Sequence, residues 1–425
     1  MSLMGKKIKI NKNGLICGSV ILLQLLWMQY RLLWASLGGT MYQLIYYMKY
    51  IASCGLLVYM LTLHRNIEDK RKLNSYLKIL LPILIIMFGV ELSATFGSPV
   101  VATYGISYWT RCIAGFLDKI FIVLMVACLW LLRGTQAINC VTSVLIFDGI
   151  LLFIVDIMKN GIIDTMKTFL VVLGLAESTV ATSALEVHEL TYCLGLCIIY
   201  YLFFEKKDER KNKSRIIILI ALFILGNKRI GFGGIIISGL FALIVHRKGL
   251  RKFNIWLIGI TGTIICITYV ALLYSGEVTS FLLNAGINMM GRDTIYTYFT
   301  NMTSFSPDFL GWGISAVSKS MENMSRVEVG NMVNVRGLHN DILKVYIECG
   351  FFGSIIWYWY NLIGIPIKLF NNFGEKDATL YIALAIFSFI TYLTDNTENY
   401  FVFQVILFLI PLVAANKRDG SSIVS

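Results

Sequence analysis

The chain has 425 residues, of which 57% are hydrophobic and only 15% are charged. A soluble domain exposes far more charge than this, so the composition excludes an ordinary soluble protein and indicates a polytopic membrane protein. The apolar runs are continuous over roughly 15–25 residues rather than alternating, which predicts spanning helices and argues against a membrane β-barrel.

The formal net charge of +12 does not indicate nucleic-acid binding, because the basic residues concentrate in short segments between apolar runs. This distribution is typical of cytoplasmic loops, and it also favours contact with anionic lipid headgroups. It predicts a multi-pass membrane protein with both termini on the cytoplasmic side. The basic clusters lie near 6–12, 65–72, 206–215, 247–252 and 417–418.

The predicted architecture is an all-α membrane helix bundle, formed by residues 1–425 as one integral membrane domain. Hydrophobic runs of sufficient length predict about twelve transmembrane helices. The first run has no small-residue cleavage site after it, so we expect it to be retained as a span. The spans are expected near 14–33, 38–63, 77–96, 106–132, 137–157, 188–204, 216–227, 230–246, 254–274, 338–365, 377–393 and 400–415.

Three polar segments remain for the outer side of the membrane. Residues 158–187 have apolar side chains at helical spacing, which predicts an interfacial or re-entrant helix. The segment 226–229 predicts a tight turn between two short spans, which form either half-membrane helices or one hairpin. The segment of about 275–337 is the only one large enough to form a structured, partly helical extracytoplasmic cap.

A histidine and a stripe of charge mark the junction between this cap and the next span. Near neutral pH, the imidazole of His339 can act as a general base, although a histidine that caps a helix end explains its position equally well. Asp341, Lys344 and Glu348 share one helix face, which favours a structural ion-pair stripe over a catalytic Glu348. The simplest interpretation of Gly350 is that it permits close helix packing, as does Gly353.

Several cations could hold an anionic ligand on the same side. Lys228 and Arg229 break the charge rule at an outer turn, which indicates either an anion such as a diphosphate or a solvated turn. Arg292 offers a planar fork of donors for phosphate, or else a salt bridge to a nearby acid. Arg336 precedes the histidine. Asp395, Glu398 and Asn399 form another outer turn, interpreted as either solvated or a sugar-binding rim.

Together these residues resemble the signature of O-antigen ligases and of O-antigen or capsule repeat-unit polymerases. The signature has a Gly-x-Gly segment, then an outer loop, His-Asn, a leucine and Glu-x-Gly-x-x-Gly. Here these elements are Gly311-Trp312-Gly313, His339-Asn340, Leu343 and Glu348-Cys349-Gly350-Phe351-Phe352-Gly353. Arg229 and Gly291-Arg292 match the positions of the two arginines of that family. The motif-level resemblance covers roughly 226–355.

The resemblance implies a GT-C-like glycosyltransferase that is independent of metal and other cofactors. It implies that the donor is a sugar chain on undecaprenyl diphosphate, used at the outer face of the bacterial cytoplasmic membrane with inversion at the anomeric carbon. The expected catalytic residues are His339, Arg292 and Arg229, and the expected substrate-binding residues are Lys228, Arg336, Asn340 and Glu348. A chain-length regulator and a flippase are the expected protein partners.

Three alternatives stay open beside the favoured repeat-unit polymerase. An O-antigen ligase would use the same chemistry but move the finished glycan to a second acceptor. A transporter or flippase of lipid-linked sugars would also need many spans, although it more often shows matching halves with broken helices. A non-catalytic scaffold is disfavoured by the histidine and arginines at one membrane face.

Overall fold

A computed structural model describes residues 11–34, 38–63, 67–95, 98–172, 187–205, 210–287, 289, 291–323 and 337–419. Within these residues the secondary structure is helical, without a strand, as predicted. The α-helices are α1 (Lys12–Trp34), α2 (Gly38–Thr62), α3 (Ile67–Thr95), α4 (Pro99–Tyr104), α5 (Ile106–Arg133), α6 (Ala137–Val172), α7 (His188–Ile199), α8 (Arg210–Leu225), α9 (Arg229–Lys248), α10 (Lys252–Tyr274), α11 (Glu277–Asn284), α12 (Arg292–Met302), α13 (Ala316–Asn323), α14 (Asp341–Trp359), α15 (Ile365–Phe373), α16 (Glu375–Tyr392) and α17 (Phe401–Asp419).

Four stretches in this part of the chain are long and apolar enough to cross a membrane. They are Lys70–Thr95, Ile106–Lys167, Arg229–Lys248 and Lys252–Tyr274. The outer surface of α9 is an example of an apolar helix face that is not covered by other helices. Ile237, Leu240 and Ile244 share this face, and each is exposed by half or more. An exposed apolar face of this kind fits contact with lipid rather than water. The apolar helices indicate a multi-pass membrane protein, while the full count of about twelve spans and the GT-C-like arrangement stay predictions.

The core of the bundle consists of helices that are apolar on all sides. Almost every residue of α7 and of the first three turns of α17 is buried, and much of α16 is buried as well. A helix that is hydrophobic all round can be surrounded by other helices without burying an unpaired polar group. α17 packs against α5, α7 and α16, and α16 also packs against α9. These helices therefore form a fixed frame whose ends can carry polar groups.

Two of the three polar segments contain helices, as the sequence predicts. α6 continues to Val172 through a break at Gly161, where φ is +79°, so a helix covers residues 158–172 of the predicted 158–187 segment. α8 and α9 are joined by a tight turn, as predicted. The two helices have different main neighbours, since α8 packs on α6 and α7 whereas α9 packs mainly on α16. The segment 275–337 is partly helical, since it contains α11, α12 and α13.

Candidate functional site

The ends of five helices bring the candidate side chains together. α7 begins at His188, and Lys228 is the N-cap of α9. Asp395 lies in the connection between α16 and α17, and His339 lies two residues before α14 begins. Each of these residues therefore sits where an apolar helix stops, which is where a polar side chain can reach water without leaving the rigid core.

The four side chains form a continuous polar string that runs Lys228–His188–Asp395–His339. The Nζ of Lys228 lies 2.6 Å from Nε2 of His188. The Nδ1 of His188 lies 2.5 Å from Oδ2 of Asp395, and Oδ1 of Asp395 lies 3.6 Å from Nδ1 of His339. The two imidazole rings stand 6.3 Å apart between centroids. Since an ammonium can only donate, Nε2 of His188 accepts a hydrogen bond from Lys228. The proton of the imidazole then lies on Nδ1, which donates to Asp395.

Asp395 is the centre of this polar string. It is only 2% exposed, and it accepts hydrogen bonds from the hydroxyls of Tyr192 at 3.1 Å and Tyr400 at 2.8 Å. Burial alone would raise the pKa of this carboxyl, but the hydrogen bond from His188 and the nearby imidazole of His339 outweigh burial and hold the pKa well below its usual range. The prediction of a solvated turn at Asp395 is therefore wrong, because the carboxylate is buried and fully engaged.

His339 adopts a backbone conformation that side chains rarely accept. Its φ is +50°, in the left-handed region, where a residue other than glycine is strained. Its N–H donates to Oδ1 of Asn396 at 3.0 Å, and its carbonyl accepts from the hydroxyl of Tyr296 at 3.2 Å. The imidazole remains 23% exposed. The surrounding hydrogen bonds thus fix the backbone of His339 while its ring stays accessible.

The two arginines stand at the first positions of their helices. Arg229 opens α9 directly after Lys228 and is exposed, and Arg292 opens α12 after Gly291, whose φ is +79°. A helix N-terminus carries partial positive charge, which disfavours a cation beside it. An anion bound there, however, is stabilised by the helix and by the cation together. Arg292 lies one turn before Tyr296, which reaches the carbonyl of His339. Tyr296 thus stands between Arg292 and His339, while Arg229 directly follows Lys228 in the sequence. We predict that both arginines and His339 line one outward-facing cavity.

Lys228 is more buried than a solvated hairpin turn allows. It is 9% exposed and engaged with His188, so the alternative of a solvated turn is wrong for Lys228. Arg336, the last of the predicted cations, lies outside the described residues. The structure adds His188 to the candidate residues and connects it with Asp395 of the outer turn. His188 escapes sequence reasoning because its partner Asp395 lies 207 residues later.

Two predicted substrate-binding residues have mainly structural contacts. Asn340 is buried, its Oδ1 accepts from the backbone N–H of Leu343 as the N-cap of α14, and its Nδ2 donates to Tyr269. Glu348 is paired with Lys344 at 3.7 Å and accepts from the backbone N–H of Val317. Substrate contact by either residue stays a prediction, and the geometry favours a positioning role for both.

The predicted ion-pair stripe is present, and it extends to the 395–399 turn. Lys344 pairs with Glu348 and, at 2.9 Å, with Glu398, which also pairs with Lys119. The backbone N–H of Glu398 donates to Oδ2 of Asp341. Burial would raise the pKa of Glu398, but Lys119 and Lys344 outweigh burial and lower that pKa to about 2. These charges lock the 395–399 turn to α5 and α14.

The signature glycines form a glycine interlock, defined here as the backbone pairing of residues 309–313 with the break in α14 around Gly350. The N–H of Trp312 donates to the carbonyl of Ile347 at 2.8 Å, and the N–H of Phe351 donates to that of Phe309 at 2.8 Å. Gly350 has a φ of +73°, and a Cβ there would collide with the backbone of Leu310. The interpretation that Gly350 permits helix packing is therefore wrong, because this residue receives a loop.

Gly353 does serve helix packing, since a Cβ there would lie 3.3 Å from Cγ2 of Val90 on α3. The loop of the interlock is also tied to α3 by Glu91, whose Oε2 accepts from the N–H of Ile314 at 2.9 Å. The interlock thus fixes α14, and with it the junction that carries His339, against the cap segment.

The comparison with known protein families covers this same region. The family profile described as O-antigen ligase matches residues 215–358. Among curated proteins, none matches the chain. The matched segment contains Arg229, Arg292, the glycine interlock and His339. The match covers about a third of the chain and includes the signature residues, so this segment is similar to O-antigen ligases.

Proposed function

We propose that this protein is a polymerase that joins oligosaccharide repeat units carried on undecaprenyl diphosphate at the outer face of the cytoplasmic membrane. The observation that carries the proposal is the polar string Lys228–His188–Asp395–His339, which puts an accessible imidazole in line with buried charge at the common end of the core helices. The family match supports glycosyl transfer of this general type, with lipid-linked oligosaccharide as substrate.

The proposed reaction is a direct displacement at the anomeric carbon of the donor sugar. A hydroxyl oxygen of the acceptor forms the new C–O bond while the bond to the diphosphate oxygen breaks, and the diphosphate leaves with the bonding electrons. The hydroxyl proton passes to His339 as general base. Such a displacement inverts the configuration and needs no nucleotide or metal in this scheme, because the lipid diphosphate is already an activated leaving group.

Cations supply the electrostatic part of this mechanism. Negative charge grows on the diphosphate as it departs, and preorganised positive groups stabilise that charge. Arg229 and Arg292 are proposed to hold the phosphates, each aided by the N-terminus of its own helix. Lys228 adds positive charge beside Arg229. A ligase would use the same groups and differ in its acceptor.

The decisive experiment incubates the purified protein with lipid-linked repeat units and separates the products on a carbohydrate gel. A ladder indicates a polymerase, whereas transfer only to an added second acceptor indicates a ligase, and the absence of any product contradicts glycosyl transfer. His339→Ala is expected to slow product formation by about 10²–10⁴-fold, the usual contribution of a general base. The matched control is His246→Ala, since His246 lies at the opposite end of α9 and bonds a backbone carbonyl.

A further inference from the structure

A cavity of about 270 Å³ lies beside the polar string, on the other side of the 395–399 turn. α5 and α14 form two walls, the start of α17 forms a third, and Ser315 and Ser318 close it from the cap segment. The turn itself separates the two sites, since Asp395 belongs to the polar string whereas Glu398 and Asn399 line the cavity. The cavity is therefore close to the proposed reaction centre but distinct from it.

The charges around the cavity balance. The lining contains three basic and three acidic side chains, namely Arg111, Lys119, Lys344, Asp118, Glu348 and Glu398. Lys119 and Lys344 both contact Glu398, so much of this charge is already neutralised within the protein. A diphosphate gains little from such a balanced lining, in contrast to the neighbourhood of Lys228 and Arg229. The lining instead offers many donors and acceptors to a neutral ligand rich in hydroxyl groups.

Aromatic side chains complete the lining. Trp357, Tyr400 and Phe401 face the cavity and present flat apolar surfaces beside the charged groups. A sugar ring has a matching division, with hydroxyl groups around its edge and apolar C–H groups on its faces. The volume is slightly below the roughly 300–1,000 Å³ usual for small-molecule pockets, which suits one sugar rather than a whole repeat unit.

From this geometry we infer that the cavity is a saccharide-binding subsite that holds an uncharged sugar of the glycan, at a distance from the reacting bond. The inference rests on the proposed function, because it assigns the ligand as part of the oligosaccharide substrate. The cavity would hold the glycan in register while the reacting end lies beside His339.

The test fills the cavity without breaking its ion pairs. Ser318→Leu adds bulk from the cap wall, and Ala114→Leu adds bulk from α5, so one variant remains informative if the other fails to fold. Ser280→Leu makes the same change as the first at an exposed position of α11 and serves as the control. Binding of repeat-unit oligosaccharide, released from its lipid by mild acid, is followed by tryptophan fluorescence, since Trp357 lines the cavity. Undecaprenyl diphosphate without sugar is measured separately as a second probe.

We expect saturable oligosaccharide binding to the wild type, a Kd raised at least about tenfold in both cavity variants, and an unchanged Kd in Ser280→Leu. Undecaprenyl diphosphate should bind all of these proteins equally. If the oligosaccharide fails to bind the wild type, or binds the folded cavity variants with unchanged Kd, the subsite is refuted while the diphosphate site stands. If the oligosaccharide behaves as expected but undecaprenyl diphosphate does not bind, the subsite is supported, whereas the proposed binding of the diphosphate by Arg229 and Arg292 is refuted.

Discussion

The backbone of His339 is strained, and neighbouring residues hold it in this conformation. A left-handed backbone at a residue other than glycine costs roughly 1–3 kcal/mol, and such strain persists only where neighbouring contacts over-determine it. Asn396 and Tyr296 hold the backbone of His339, and Asp395 faces its ring. The arrangement is preorganised, so the imidazole needs little rearrangement to meet a substrate.

Asp395 is predicted to position His339 rather than to touch the substrate. Asp395→Asn keeps the shape of the side chain but removes its charge, and a hydrogen bond to a charged group contributes about 1.5–3 kcal/mol. We therefore expect a rate of product formation lowered by roughly 10–100-fold. In the His339→Ala background the same change should cost little more, because Asp395 acts through that imidazole.

The measurement is the rate of ladder formation by the purified wild type, the two single variants and the double variant. A loss of folded protein would lower the rate by the same factor with and without His339. An equal loss in both backgrounds would thus limit Asp395 to a structural role.

The sequence predicts individual residues well where a chemical type stands out against an apolar background. His339, Lys228 and Arg229 are recognisable because ionisable groups are costly at membrane depth. His188 is equally out of place at the start of an apolar run, but its meaning depends on Asp395, which only the folded chain brings near. Asn340 shows the converse, because a motif residue turns out to cap a helix.

At the scale of elements, the broken helix α14 determines how the cap segment meets the bundle. Gly311 and Gly350 approach so closely that a Cβ on Gly311 would lie 2.5 Å from the carbonyl oxygen of Glu348. Backbone donors and acceptors freed by the break are satisfied by the loop, as a membrane environment requires. The signature glycines are therefore explained by backbone contact rather than by chemistry at the reaction centre.

Gly350→Ala is predicted to destabilise the protein strongly. The positive φ alone costs roughly 1–3 kcal/mol for a residue with a Cβ, and the collision with Leu310 adds to that cost. We expect a clearly lower midpoint of thermal unfolding, measured in detergent. The control is Gly233→Ala on α9, because a Cβ at this position has no neighbouring atom within 4 Å. Helix propensity favours alanine there by about 0.5–1 kcal/mol, so this variant should not be destabilised. Equal unfolding midpoints in the two variants would contradict the interlock.

Several helix boundaries could be predicted, because long apolar runs leave few alternatives. α5, α9 and α10 begin and end within two residues of the expected spans, whereas α3 begins 10 residues before its expected span and α6 ends 15 residues after its own. The glycine interlock could not be predicted in the same way, since nothing local in the sequence shows that residues 309–313 pair with a helix about 40 residues later. Hydrophobicity thus specifies where helices run, while their contacts depend on long-range packing.

At the scale of the whole molecule, the apolar surface of α9 and the basic loops together predict an orientation. The polar string lies at the helix ends opposite the basic segment 247–252, since α9 runs from Lys228 to that segment. The positive-inside rule then puts the polar string on the outer face. This agrees with a reaction on lipid-linked sugars outside the cytoplasm.

This orientation is testable with reporter fusions in bacterial cells. Alkaline phosphatase inserted at the exposed turn 285–286, after α11, is expected to be active, because it folds only outside the cytoplasm. A fluorescent protein fused to the C-terminus should fluoresce, because it matures in the cytoplasm. An inactive phosphatase together with a dark C-terminal fusion would reverse the proposed topology.

The 395–399 turn has two faces, and this has a thermodynamic consequence. Asp395 and Asn396 hold the histidines on one side, while Glu398 and Asn399 line the cavity on the other. A ligand that shifts this turn from one side alters binding on the other side. Thermodynamic linkage then requires the effect to be reciprocal. If a sugar in the cavity lowers the Kd for the diphosphate by some factor, the diphosphate must lower the Kd for that sugar by the same factor. Five residues would thereby make the two halves of one substrate bind cooperatively.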